Sequence, residues 1–159
     1  MDKNEYHIAV EEYSDRLYRF ALKLCKDRMI ADDFVQDTFE KVWIKKDEIS
    51  FDKIKSYLFR TLYNKFVDYT RKTKILSIDD YSVQSSYQEP NPDLNEILHE
   101  ALNKLSEIQR SAVLLRDYEG YNYNEIGEIL GLTEAQVKVY IFRARKHLQQ
   151  YIGKLEAVI

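Results

Sequence analysis

Two short stretches of the chain concentrate bases. Between residues 53 and 74, Lys53, Lys55, Arg60, Lys65, Arg71, Lys72 and Lys74 face a single acid, Asp68, a balance of +6. Between residues 134 and 154, Lys138, Arg143, Arg145, Lys146 and Lys154 face Glu134 alone, a balance of +4. Bases at that density can neutralise phosphates, and the chemistry they offer is nucleic-acid binding rather than bond making. The first stretch interleaves its bases with Tyr57, Phe59, Tyr63 and Tyr69, the kind of ring on which unpaired bases stack. Helical spacing sets Tyr69 on an apolar stripe with Tyr57 beside it, so core packing competes for each ring. A solvated helix face is the competing reading of both basic runs.

Acids are segregated in the same way. Residues 27–52 hold Asp27, Asp32, Asp33, Asp37, Glu40, Asp47, Glu48 and Asp52 against four bases, and residues 75–93 hold Asp79, Asp80, Glu89 and Asp93 against none. Asp33, Gln36, Asp37 and Glu40 recur at three- and four-residue steps, which places them on one helix face suited to a basic partner helix. A metal site is not expected there, because no His joins them and the spacing lacks an EF-hand glycine. His7, His99 and His147 lie far apart, with no HExxH, no Gly-rich phosphate loop and no Cys/His cluster. No catalytic residue, metal or cofactor is expected. Cys25 falls on an apolar helix side and reads as a small core residue.

These side chains need helices to hold them. Tyr13, Leu17, Phe20, Ala21 and Leu24 form one amphipathic stripe, and Ala31, Phe34, Val35, Thr38, Phe39 and Val42 form a second after a break at 26–29. Ile54, Leu58, Thr61, Leu62, Lys65, Phe66 and Tyr69 mark a third helix, with Ser50 or Asp52 as its expected cap. Lone amphipathic helices cannot bury their faces, so residues 5–74 are read as one small helical domain. Residues 75–93 lose the period and contain both prolines, Pro90 and Pro92, which predicts a flexible linker. Periodicity returns at Leu94, Ile97, Leu98, Ala101, Leu102 and Leu105.

Three capping-box patterns lie beyond: Ser106 with Gln109, Asn122 with Glu125, and Thr133 with Gln136. The helix opened by Ser106 is expected to run to Gly120. A short helix over 123–130 ends at Gly131, and a second starts at Glu134, which is the pattern of a helix-turn-helix within a domain spanning 94–155. Its second helix turns Val137, Ile141, Ala144 and Leu148 inward and Gln136, Lys138, Tyr140, Arg143, Arg145 and Lys146 outward. In such motifs the early residues of the second helix enter the major groove while bases hold phosphates.

Composition agrees with an all-α chain. Among 159 residues there are 4 Gly and 2 Pro, too little turn chemistry for a sandwich or barrel. No apolar run reaches the roughly 18 residues a membrane span needs, and MDKNEYHIAV has no secretory pattern. With one cysteine, the expected compartment is the reducing cytoplasm. The net charge of −3 argues against nucleic acid only until it is resolved by segment.

In these residues the chain resembles bacterial RNA polymerase sigma factors of the extracytoplasmic-function, sigma-70 family type. The string DDFVQDTFEKVW (Asp32–Trp43) is similar to the family's helix that docks on the clamp helices of the polymerase's largest subunit. The resemblance thus implies polymerase binding by Asp33, Gln36, Asp37 and Glu40. IKSYLFRTLYNKFVDYTRK (Ile54–Lys72) resembles the segment that melts the promoter and recognises its downstream element. Lys53, Tyr57, Arg60, Asn64 and Arg71 would then contact that DNA, and the loop at 46–53 would capture a flipped base. Leu105–Leu148 resembles the region that reads the upstream element and contacts the polymerase flap, implying DNA contacts by Thr133, Glu134, Gln136, Lys138, Tyr140, Arg143 and Arg145. Where the family often carries Thr at position 136 and Ser-Arg at 139–140, this chain has Gln136 and Val139-Tyr140, so an unusual upstream element is expected. The stretch 135–145 is similar to versions in Bacteroidetes-type members.

The resemblance implies core RNA polymerase and promoter DNA as partners, an anti-sigma factor as regulator, and no small-molecule substrate. No sensory domain is expected after Ile159. The acidic linker resembles a segment that threads toward the polymerase's active-site cleft. A stand-alone helix-turn-helix regulator is the competing reading; it would require an α/β receiver-like first half. A helical adaptor with incidental basic faces is a third.

Overall fold

The structure, a computed structural model, describes residues 1–76 and 94–158. Seven α-helices carry it: α1 (Lys3–Cys25), α2 (Arg28–Ile44), α3 (Ile54–Leu76), α4 (Leu94–Asn103), α5 (Glu107–Val113), α6 (Tyr123–Leu130) and α7 (Glu134–Val158). Among the described residues there is no strand, so the receiver-like half that a stand-alone regulator would need is not found in residues 1–76. The linker predicted over 75–93 lies almost wholly outside the described residues, as do its acids Asp79, Asp80 and Glu89; α3 itself continues to Leu76.

In the first half the three stripes close on one another. Leu17, Phe20, Ala21 and Leu24 of α1 meet Ala31, Phe34, Phe39 and Val42 of α2 and Ile54, Leu58, Leu62 and Phe66 of α3, all buried. Each large side chain removed from water contributes about 1.5–3 kcal/mol, which is why three helices unstable alone hold together. Thr38, polar but fully buried, donates its hydroxyl to the Phe34 carbonyl at 2.7 Å. α1 starts earlier than its apolar stripe suggests, because Asp2 and Glu5 form a reciprocal capping box. At the α1–α2 junction, Lys26 takes a left-handed conformation (φ 58°) and Asp27 caps α2 by accepting from the Met29 and Ile30 amides.

The expected side-chain cap of α3 does not form. Two 3-10 turns, Lys46–Glu48 and Phe51–Lys53, lead into the helix, and the Ser50 hydroxyl makes no capping bond. The second turn runs directly into α3, and the Ser50 carbonyl accepts from the Lys53 amide at 3.0 Å. A backbone bond thus takes the place of the side-chain cap.

The second half packs α4, α5 and α6 against α7. The helix expected to run unbroken from Ser106 to Gly120 widens into a π-turn at Leu114–Tyr118, where the Glu119 amide reaches back five residues to the Leu114 carbonyl at 3.1 Å. The two halves also touch. α3 lies against α6, and the buried Phe59 ring meets the buried Tyr121 ring edge-on at 5.1 Å between centroids.

Candidate nucleic-acid interface

The angle between α6 and α7 is set by two glycines. Gly131 ends α6 with φ 72°, a left-handed conformation that lacks steric cost only for glycine, and its amide donates to the Gly127 carbonyl. The same carbonyl accepts from the Leu132 amide at 2.9 Å. The turn folds back so closely that a Cβ on Gly127 would lie 2.7 Å from the Leu132 carbonyl oxygen. Thr133 then opens α7: the Thr133 amide donates to Gln136 Oε1 at 3.0 Å, and the Gln136 amide donates to Thr133 Oγ1 at 3.2 Å. Ile126, Ile129 and Leu130 of α6 and Val137, Ile141 and Ala144 of α7 are buried, locking the pair.

The outer face of α7 presents Glu134, Gln136, Lys138, Arg143, Arg145 and Lys146 exposed and Tyr140 half-buried, and Thr133 is exposed at its start. These side chains are not equally free. Arg145 donates to both carboxylate oxygens of Asp117, at 2.6 and 3.1 Å, which ties α7 to the π-turn. Lys138 lies 3.8 Å from Glu134 and 5.6 Å from the Tyr123 ring centre. Arg143 and Lys146 have no acidic partner among the described residues. Two apolar side chains share this face, Val139 at 44% and Phe142 at 68% exposure. Reading α7 for its bases passes over both; marking each apolar residue outside the Val137–Ile141–Ala144 stripe would have found them.

α3 offers a second basic surface, already partnered in part. Lys55 pairs with Glu125 of α6 and lies 4.6 Å from the Tyr121 ring centre, and Lys53 approaches Glu128 at 3.9 Å. Arg60 lines a hollow of about 350 Å³ shared with Asn124, Glu128, Thr133 and Gln136, so it faces the helix-turn-helix. Tyr57 is half-buried and borders a neighbouring hollow with Lys53 and Arg60. Asn64 is exposed, and Arg71 is exposed but paired with Asp68 at 3.0 Å. Lys74 reaches Glu107 of α5 at 3.8 Å, and Arg19 of α1 reaches Glu119 at 3.4 Å. Each of these contacts between halves sets a base of the first against an acid of the second, a pattern invisible when charge is summed along the chain.

The aromatic faces expected on α3 are mostly absent from its surface. Phe59 and Tyr63 are buried, and Tyr69 packs edge-on against Phe34 at 5.5 Å. Of the four rings, Tyr57 is the one left half-exposed without a ring partner among the described residues. The acidic face of α2 fares better: Asp33, Gln36 and Glu40 lie on one side, with both carboxylates exposed. Asp37, on the same face, is instead engaged by Lys65 of α3.

Burial raises the Cys25 thiol above its ordinary range, although the Asp27 carbonyl accepts from it at 3.4 Å. Among the described residues no three His, Cys, Asp or Glu side chains are grouped to hold a metal. No described helix is long and apolar enough to cross a membrane.

Comparison with known proteins matches two segments of the chain. Residues 9–75 match the family Sigma-70 region 2, and residues 95–148 match Sigma-70, region 4. The chain is 33% identical over 144 residues to the ECF RNA polymerase sigma factor SigM of Bacillus subtilis, covering 86% of this chain and 88% of that one. It is 29% identical over 155 residues to the ECF RNA polymerase sigma factor SigL of Mycobacterium tuberculosis, covering 90% and 88%. Among solved structures, a chain of the complex between the sigma factor RpoE and the anti-sigma factor NepR from Bartonella quintana superposes with a TM-score of 0.77 at 29% identity, covering 91% of this chain and 94% of that one. The complex of CnrH with the cytosolic domain of CnrY gives 0.72 at 23% identity over 96% and 90%, a likeness of fold.

Proposed function

The chain belongs to the sigma-70 family, as a sigma factor of the extracytoplasmic-function type, and on that premise we propose how its surfaces divide the work. It is an alternative sigma factor that binds core RNA polymerase and directs it to promoters. Residues 5–74 form the unit that docks on the polymerase and opens the DNA, residues 94–155 the unit that reads the upstream element, and 75–93 the connection.

In this reading Asp33, Gln36 and Glu40 face the clamp helices of the polymerase, while Asp37 holds α2 to α3 through Lys65. Lys53, Tyr57, Arg60, Asn64 and Arg71 serve the downstream element; Gln136, Lys138, Tyr140 and Arg143 serve the upstream one. Arg145, bound to Asp117, positions α7 rather than contacting bases. The polymerase makes the phosphodiester bonds, so the factor itself catalyses nothing, needs no cofactor or metal, and works in the cytoplasm. The observation that carries this reading is one chain holding both a capped, glycine-hinged helix pair with a basic outer face and an exposed acidic face on α2.

The contacts between halves suit an inactive resting form. Glu125 and Glu128 sit where phosphates would meet Lys55 and Lys53, so engaging a promoter requires α3 and α6 to part. A partner that holds the halves together would act as an anti-sigma factor, as the anti-sigma factor NepR is paired with the sigma factor RpoE from Bartonella quintana.

Docking is tested by titrating core polymerase with the protein. Asp33→Ala and Glu40→Ala should each weaken the complex about 2- to 5-fold, the range for an exposed charge pair, with helix content unchanged by circular dichroism. Unaltered affinity in the double variant would remove α2's acidic face from the interface.

A further inference from the structure

We propose that Gln136 and Val139 together read a thymine in the upstream promoter element, an inference that rests on α7 entering the major groove as described under Proposed function. The two residues are one turn apart on the outward arc of α7. With Ala135, Tyr140 and Arg143 they line a shallow hollow of about 300 Å³ that opens to solvent.

The capping box limits what Gln136 can recognise. A free glutamine pairs with adenine through both amide atoms, its oxygen accepting from N6 and its nitrogen donating to N7. Here Oε1 already accepts from the Thr133 amide at 3.0 Å, and that bond satisfies one of the orphan donors at the start of α7. That bond holds the Gln136 side chain by its oxygen and leaves the Nε2 donor directed away from the cap and available to DNA. Base edges that accept in the major groove are guanine O6 and N7, adenine N7, and thymine O4.

Val139 selects among these. Val139 is 44% exposed, on a face it shares with Gln136, Phe142, Arg143 and Lys146. Guanine would set its O6 against it and adenine its N6 amino group, polar atoms in both cases. Thymine alone places an apolar group, the C5-methyl, next to an acceptor, O4. A donor and an apolar side chain one turn apart are complementary to that edge. Ala135 and the ring of Tyr140 complete the apolar wall, and Arg143 at the rim supplies positive charge toward the phosphates.

The test uses the holoenzyme assembled from this protein and core polymerase. Duplexes bound from a library randomised over the upstream element are selected, and each dT of the enriched sequence is then replaced singly by dU, which keeps base pairing and removes one methyl. One such replacement should weaken binding about 4-fold, the factor for one buried methyl. Val139→Ala should lose a similar factor on the dT duplex and bind dT and dU equally, while Lys138→Ala should weaken both duplexes alike. A Val139→Ala holoenzyme that still prefers dT over dU, or an enriched element with no dT sensitive to replacement, overturns the thymine assignment and leaves promoter reading standing. Failure to enrich any upstream sequence overturns promoter reading by α7, and this inference with it.

Discussion

Gly127 and Gly131 do different work, and substitutions separate them. Gly131 needs a left-handed conformation but has open space around its Cα; Gly127 has ordinary dihedrals but no room for a Cβ. Gly131→Ala should therefore lose about 1–2 kcal/mol, the cost of that conformation for an L-residue. Gly127→Ala must push the Leu132 carbonyl aside and so disturb the turn itself, with a loss of about 1–3 kcal/mol, as for overpacking. Urea unfolding measures both. A Gly127→Ala protein as stable as wild type would show that the turn can slide without penalty. Gly131 is legible from sequence, because a glycine between two capped helices announces its role. Gly127 is not, since nothing in a helical pattern tells which residue another backbone approaches. The same limit applies to the exposed side chains: helical spacing puts Asp33, Asp37 and Glu40 on one face, yet only packing shows that Lys65 claims Asp37.

At the scale of elements, α3 and α6 matter most. The seven helices arise from apolar spacing and caps, and their order is readable from the sequence. The π-turn at Leu114–Tyr118 is not, because a widened turn leaves apolar spacing nearly unchanged while rotating the chain beyond it. The burial of Phe59 and Tyr63 is equally hidden: both rings lie beside the main stripe of α3, and Phe59 finds its cover in Tyr121 of the other half. Since α6 supplies the acids that meet Lys53 and Lys55, neutralising them should unmask α3. The free protein with Glu125→Gln and Glu128→Gln should bind duplex DNA about 2- to 10-fold more tightly at low salt, with the gain fading as salt rises. Glu11→Gln with Glu12→Gln changes net charge equally on exposed positions of α1 and is the control. Equal gains from both double variants would reduce the effect to net charge and remove α6 as a mask.

For the whole molecule, the charge of −3 conceals two basic helices offset by acids on α2, on α6 and between the halves. Part of that offset is local in sequence and visible there; the pairing of Lys55 with Glu125 and Arg19 with Glu119 spans the chain and is not. A factor whose bases are partly occupied by its own acids gains little from DNA alone and depends on the polymerase to place it, which is how specificity is kept from becoming general affinity for phosphate. The most direct measurement is run-off transcription on genomic fragments, with purified core polymerase in the presence and absence of this protein. New, discrete transcript starts that appear only with the protein and share an upstream sequence are expected. Transcription unchanged by saturating protein would contradict the assignment as a promoter-directing sigma factor.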